Sequence, residues 1–143
     1  MRLLLRYSLF LAFVLLFCGQ ANATHVRAGE ITARRLMDRD GLVYELKFTG
    51  YFDEETGRVA SEQQGDVKFY ITGDRQMVIA PRNAAERVNI GNNTTRNTYY
   101  ATYRFPASGQ YNITVQIDNR NDGVLNIGPA PTNTLNFFIR TTL

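Results

Sequence analysis

The sequence predicts an all-β domain, an antiparallel β-sandwich of about seven strands, preceded by a signal peptide. Three observations predict it. The residues after Ala23 alternate apolar and polar with period two, between Gly, Asn and Asp punctuation. They are rich in Tyr, Phe, Val, Ile and Thr, which favour strands. No amphipathic helical pattern interrupts them. A closed barrel is the alternative arrangement of the same strands.

The chain opens with "MRLLLRYSLFLAFVLLFCGQANA". Arg2 and Arg6 make a positive start, Leu9 to Cys18 is apolar, and Ala21-Asn22-Ala23 supplies the small-x-small pattern of signal peptidase sites. The reading is a signal peptide over 1–23, cleaved after Ala23, and a single domain over 24–143. The apolar run is short for a membrane span of roughly 20 residues, and no positive stop-transfer cluster follows it. Phe17 stands before Cys18 where bacterial lipidation wants a small residue, so Cys18 leaves with the peptide.

Cleavage also changes what composition implies. The whole chain carries +3; without Arg2 and Arg6, 14 basic and 13 acidic residues remain. No dense basic stripe survives, so nucleic acid is not an expected partner. The mature chain holds no cysteine and only His25, which leaves zinc sites and Ser-His or Cys-His catalysis without their parts. No second apolar run reaches spanning length.

The strands follow in order. "HVRAGEITARRL" places Val26 and Ala28, then Ile31 and Ala33, on one face, with a slip at Gly29 that reads as a bulge. Arg39-Asp40-Gly41 turns the chain. "LVYELKFTGYF" puts Leu42, Tyr44, Leu46 and Phe48 on one face. Asp53 to Gly65 is polar and reads as a long exposed loop, with "DEE" at its start solvated. "DVKFYI" puts Val67, Phe69 and Ile71 on one side. A turn at Thr72-Gly73-Asp74 leads to "QMVIAP", closed by Pro81. "AAERVNI" fits a short strand or a helical turn, and Asn92 to Thr95 reads as a loop. "NTYYATYRF" alternates Tyr99, Ala101, Tyr103 and Phe105; "GQYNITVQI" alternates Tyr111, Ile113, Val115 and Ile117. "TLNFFIRTTL" is the last strand, after the Pro129-Ala130-Pro131 break.

The stretch "YRFPASGQYNITVQI" resembles the E–F corner of immunoglobulin-like and PKD-type sandwiches, in which a Tyr hydroxyl bonds back to nearby backbone. Tyr111 and Gly109 are therefore expected to be structural. "ATHVRAGEITARRL" resembles the mature start of a family of secreted Bacteroidetes proteins, on Thr24, His25, Ala28, Gly29, Glu30, Ile31 and Thr32. "YELKFTGYFDEETG" resembles that family's second strand and loop. The segment with Asn119, Arg120, Asn121, Gly123 and Asn126 resembles a later part of it. The resemblance implies a PKD- or immunoglobulin-like module at the N-terminus of a gliding motility-associated surface protein. Such proteins often end in a type IX secretion sorting domain. The chain stops at Leu143, so the expectation is either a piece of such a protein or a stand-alone module. A PKD-type "W-D-F-G-D-G" is not matched: only Gly73-Asp74 of "KFYITGDRQ" fits.

The candidate sites are few. Asp118, Asn119, Asn121 and Asp122 offer oxygen ligands as calcium loops do, but Arg120 breaks EF-hand spacing, and an Asn/Asp turn explains them equally. No other cofactor is expected. Glu30, flanked by Gly29 and Ile31, is read as a structural or solvated carboxylate. Among the tyrosines, Tyr100 and Tyr51 are the ones left facing outward for sugar stacking. Asn92, Asn93 and Asn112 fit N-glycosylation acceptors, read as accidental in a bacterial chain. The expected function is a non-enzymatic exported module for cell-surface structure, adhesion or protein–protein contact. Its expected partners are other surface proteins or further domains of a larger chain. Carbohydrate binding is the alternative.

Overall fold

The computed structural model describes residues 26–118, 120, 121, 124 and 135–143. The expected signal peptide over 1–23, His25, Asn119 and Asp122 lie outside them. Among the described residues eight strands form: β1 (Val26–Arg35), β2 (Leu42–Asp53), β3 (Asp66–Thr72), β4 (Gln76–Pro81), β5 (Val88–Gly91), β6 (Thr94–Phe105), β7 (Asn112–Ile117) and β8 (Phe137–Thr142). A short helix, α1 (Arg58–Gln63), and a 3-10 turn (Ala84–Glu86) join them. The strands make two antiparallel four-stranded sheets, in the orders β1-β2-β6-β5 and β4-β3-β7-β8. This is the A-B-E-D and C′-C-F-G order of an immunoglobulin-like sandwich.

The period-two pattern decides which residues the sheets bury between them. Leu46, Phe48 and Phe52 of β2 meet Val67, Phe69 and Ile71 of β3, Tyr99 and Phe105 of β6, and Ile113, Val115 and Ile117 of β7. The Phe105 and Tyr111 rings pack with centroids 4.5 Å apart at one end of the core. Chain crossings close two sheet margins. Arg82, just past β4, bridges to Tyr99 of β6, and Val26 bridges to Arg120, three residues past β7.

Four details differ from the sequence expectation. The β1 bulge falls between Val26 and Ala28, not at Gly29. Gly29 has another cause: a Cβ there would sit 2.6 Å from Phe48 Cε2 and 3.1 Å from Phe137 Cζ. Asp53 to Gly65 is not a simple solvated loop, because α1 folds within it and buries Ser61. "AAERVNI" is both alternatives in succession, a 3-10 turn capped by the Asn83 side chain and then β5. The Asn92–Thr95 loop shrinks to Asn92 and Asn93, both left-handed, with Thr94 already paired to Gly91. Two such residues match the twist of a tight hairpin.

Candidate functional site

A group of polar side chains at the end of β2 and in the turns beside it engage one another. Arg27, at the β1 bulge, donates to Asp53, to Thr94 Oγ1 (2.8 Å) and to the Asn92 carbonyl (3.0 Å). Asp53 also accepts from the Glu55 and Thr56 N–H groups. Burial pushes its pKa up, but the bonds from Thr56, Glu55 and Arg27 outweigh it and hold the carboxylate below its ordinary 3.8. Glu54 behaves alike. Its Oε1 accepts from Thr95 Oγ1 (2.6 Å), Ser61 Oγ (3.0 Å) and Arg87 Nη2 (2.8 Å). Burial opposes these bonds, yet the pKa is held below 4.5. The "DEE" carboxylates are thus pinned in place rather than solvated at Asp53 and Glu54.

The residues singled out from the sequence are scattered. Glu30 is exposed on the edge strand β1, opposite Thr49 of β2, with no carboxylate beside it in the ladder. Tyr51 is half-buried between Ala28 and Arg96. Tyr100 is also half-buried. Its hydroxyl donates to Glu86 Oε2 (2.9 Å), and Lys47 Nζ stands 5.9 Å from its ring centroid. Burial and Glu86 together raise its pKa. One side of the Tyr100 ring is thereby covered. Tyr111 donates from its hydroxyl to the Ala107 carbonyl (2.9 Å), four residues back at the β6–β7 corner. Gly109 lies in that corner with room for a side chain, its nearest neighbour being Tyr111 Cε2 at 3.8 Å. Of the calcium candidates, Asp118 follows β7 and Asn121 donates its N–H to the Val26 carbonyl (3.2 Å). Among the described residues, no group of three or more His, Cys, Asp or Glu is arranged to hold a metal ion.

The second sheet is different on its outer face. Tyr70 pairs with Met77 across β3 and β4, and Ile79 pairs with Lys68. Tyr70 is 41% exposed, Met77 49% and Ile79 56%; Phe138, opposite Gln116 on β8, is 56% exposed. Isolated apolar side chains on a surface are ordinary, whereas neighbours in register make a patch.

Beside that patch the two central strands part. The β3–β7 ladder runs from Thr72↔Asn112 to Phe69↔Val115 and stops. β3 stays paired to β4 back to Asp66, and β7 stays paired to β8 on to Ile117. Continuing the register would set Asp66 against Asp118, and like charges directly opposite each other disfavour pairing. A cleft of about 300 Å³ opens there. Asp66, Lys68 and Tyr70 line one wall, Gln116 and Asp118 the other, and Gln64 one end, over a floor of Val67 and Ile117. Successive strand residues address opposite neighbours, so the parted stretches also turn main-chain groups into the gap.

Sequence reasoning missed this site because no contiguous motif marks it. The available signal was the outward row Asp66, Lys68, Tyr70 in an otherwise regular strand. Among the described residues no helix is long and apolar enough to cross a membrane. Compared with protein-family models, curated proteins and solved structures, the chain gives no match.

Proposed function

We propose that this chain is an exported, non-enzymatic adhesion module of the cell surface, which holds its receptor on the outer face of β4-β3-β7-β8. The observation that carries this reading is the in-register patch of Tyr70, Met77 and Ile79 beside a polar cleft. Apolar side chains grouped next to unengaged polar ones are the usual make-up of a recognition surface. Two further points support binding over catalysis. Both carboxylates at the end of β2, Asp53 and Glu54, are held ionised by fixed donors, which suits anchoring and not proton transfer. The sequence supplies one histidine and, after Ala23, no cysteine. Export rests on the leader pattern in 1–23.

Two assays test the reading. An antibody to the folded domain, applied to intact producing cells, gives a signal that external protease removes. A signal seen only after permeabilisation overturns surface display. Purified chain labelled with a fluorophore binds to cells, and Met77→Ser/Ile79→Ser reduces that binding about tenfold or more, as loss of two contact side chains implies. Undiminished binding by the double variant overturns the assignment of the face.

A further inference from the structure

We propose that the cleft between β3 and β7 binds a neutral saccharide chain, with Tyr70 as its stacking wall. The inference rests on the reading that this face is the binding surface, and it names the receptor's chemistry. At one end of the first sheet and in the turns beside it, polar side chains are committed to one another, as Arg27, Asp53, Glu54, Ser61, Arg87 and Thr95 show. In the cleft the reverse holds. Asp66, Lys68, Gln116 and Asp118 line one depression, and among the described residues none of their side chains makes a hydrogen bond or an ion pair. Gln64 alone is engaged there, through Nε2 to the Asp66 carbonyl (2.5 Å).

The inventory selects the ligand. Two carboxylates accept, an ammonium donates, and Gln116 does both. Adjacent hydroxyls of a sugar ring present the matching donors and acceptors a few ångströms apart. Tyr70 adds an exposed aromatic face, which covers the C–H face of a pyranose and keeps its hydroxyl at the rim. An anionic ligand meets two carboxylates against one ammonium. An apolar peptide leaves all three charges desolvated without partners, which is costly. A bare cation meets Lys68 in the same cleft. The parted stretches span three residues each, about 10 Å of strand and room for about two pyranose units. The cleft is open and lies between the two central strands at one end of the sheet, so a longer chain runs on over Met77 and Ile79 of the neighbouring β4.

The test is titration calorimetry on the full chain with neutral hexasaccharides of glucose, mannose, xylose and N-acetylglucosamine. At least one binds, and EDTA leaves its affinity unchanged. Tyr70→Ala weakens it about tenfold or more, the scale of one lost stacking contact, and Gln116→Ala weakens it too. Both side chains are exposed, so both variants keep the parent melting temperature, which reports their folding separately. Failure of all four sugars to bind overturns the proposal, as does binding that survives both substitutions. Binding abolished by EDTA replaces it with a cation site at Asp66 and Asp118. If cell binding falls in Met77→Ser/Ile79→Ser while no sugar binds, the contact face stands and its receptor is a protein. If a sugar binds through Tyr70 while that double variant adheres normally, the cleft stands and the wider face falls.

Discussion

The outer faces of the two sheets draw on the same residue types and dispose of them differently. On the first, Tyr100 gives its hydroxyl to Glu86, Glu86 also holds Asn83, and Lys47 reaches over the Tyr100 ring. Arg34 pairs with Glu45. On the second, Tyr70, Lys68 and Gln116 reach outward with no such partners, beside exposed Met77 and Ile79. A side chain tied to its neighbours is already ordered and partly desolvated, so it has little left to offer a ligand. One left unengaged keeps its full hydrogen-bonding capacity. The first face ties these groups to one another; the second leaves Tyr70, Lys68 and Gln116 unengaged.

That contrast can be broken by substitution. The largest effect is expected at the first sheet's margin. Asp53→Ala leaves Arg27 and two backbone N–H groups without their acceptor and costs about 2–4 kcal/mol, measured by urea unfolding. A cost within error would mean the Arg27–Asp53 anchor does not hold the bulge. Gly29→Ala comes next. Its new methyl meets the Phe48 and Phe137 rings, for a loss of about 1–3 kcal/mol by the usual overpacking scale; an unchanged melting temperature would show that the rings move aside.

A pH titration sharpens the same point. Asp53 and Glu54 have folded pKa values below their ordinary 3.8 and 4.5. A group depressed in the fold stabilises it above the unfolded pKa and loses that contribution as pH falls through the folded value. Stability is therefore flat above pH 4.5 with respect to these groups and declines below it. Asp53→Asn/Glu54→Gln should flatten the acid limb of a denaturation series; an acid limb as steep as the parent's would place the protonation elsewhere. The smallest effect belongs to the second face. Lys68→Ala, Tyr70→Ala and Gln116→Ala each change stability by no more than about 0.5 kcal/mol, as exposed sites do. A cost as large as that of Asp53→Ala would show that the cleft is structural and end its reading as a binding surface.

The sequence made the core strands legible because period two needs no tertiary information. Leu42, Tyr44, Leu46 and Phe48 declared their face, and so did Val67, Phe69 and Ile71. What it hid depended on partners far away in the chain. A glycine within a strand usually marks a bulge, so Gly29 drew the slip to itself. The true bulge serves Arg27, whose reach to Asp53 and Asn92 spans 26 and 65 residues. The run after Asp53 looked solvated for the same reason: the donors of Glu54 come from Ser61, Arg87 and Thr95. The sequence expectation left Tyr100 and Tyr51 facing outward, whereas Tyr70, alternating with the buried Phe69 and Ile71, is the exposed one. Nothing local told which would be covered, since Glu86 and Lys47 reach Tyr100 from other elements. The cleft was the least legible feature, because it is a place where two strands fail to pair.

The bridge that ties Val26 to Arg120 has a mechanical side. Val26 lies at the pole where β7 ends and β8 begins, whereas Leu143 exchanges backbone hydrogen bonds with Tyr111 at the opposite pole. Tension applied at Val26 and Leu143 would act along the strands, with β1 sliding against β2 and β8 against β7. Ladder bonds loaded side by side in this way share the force and give way together, not one after another. A domain built so yields at a high threshold and then all at once. Single-molecule pulling between these two residues, compared with pulling across the β1–β2 turn, should show the first as the stronger direction; equal forces would deny the shear geometry.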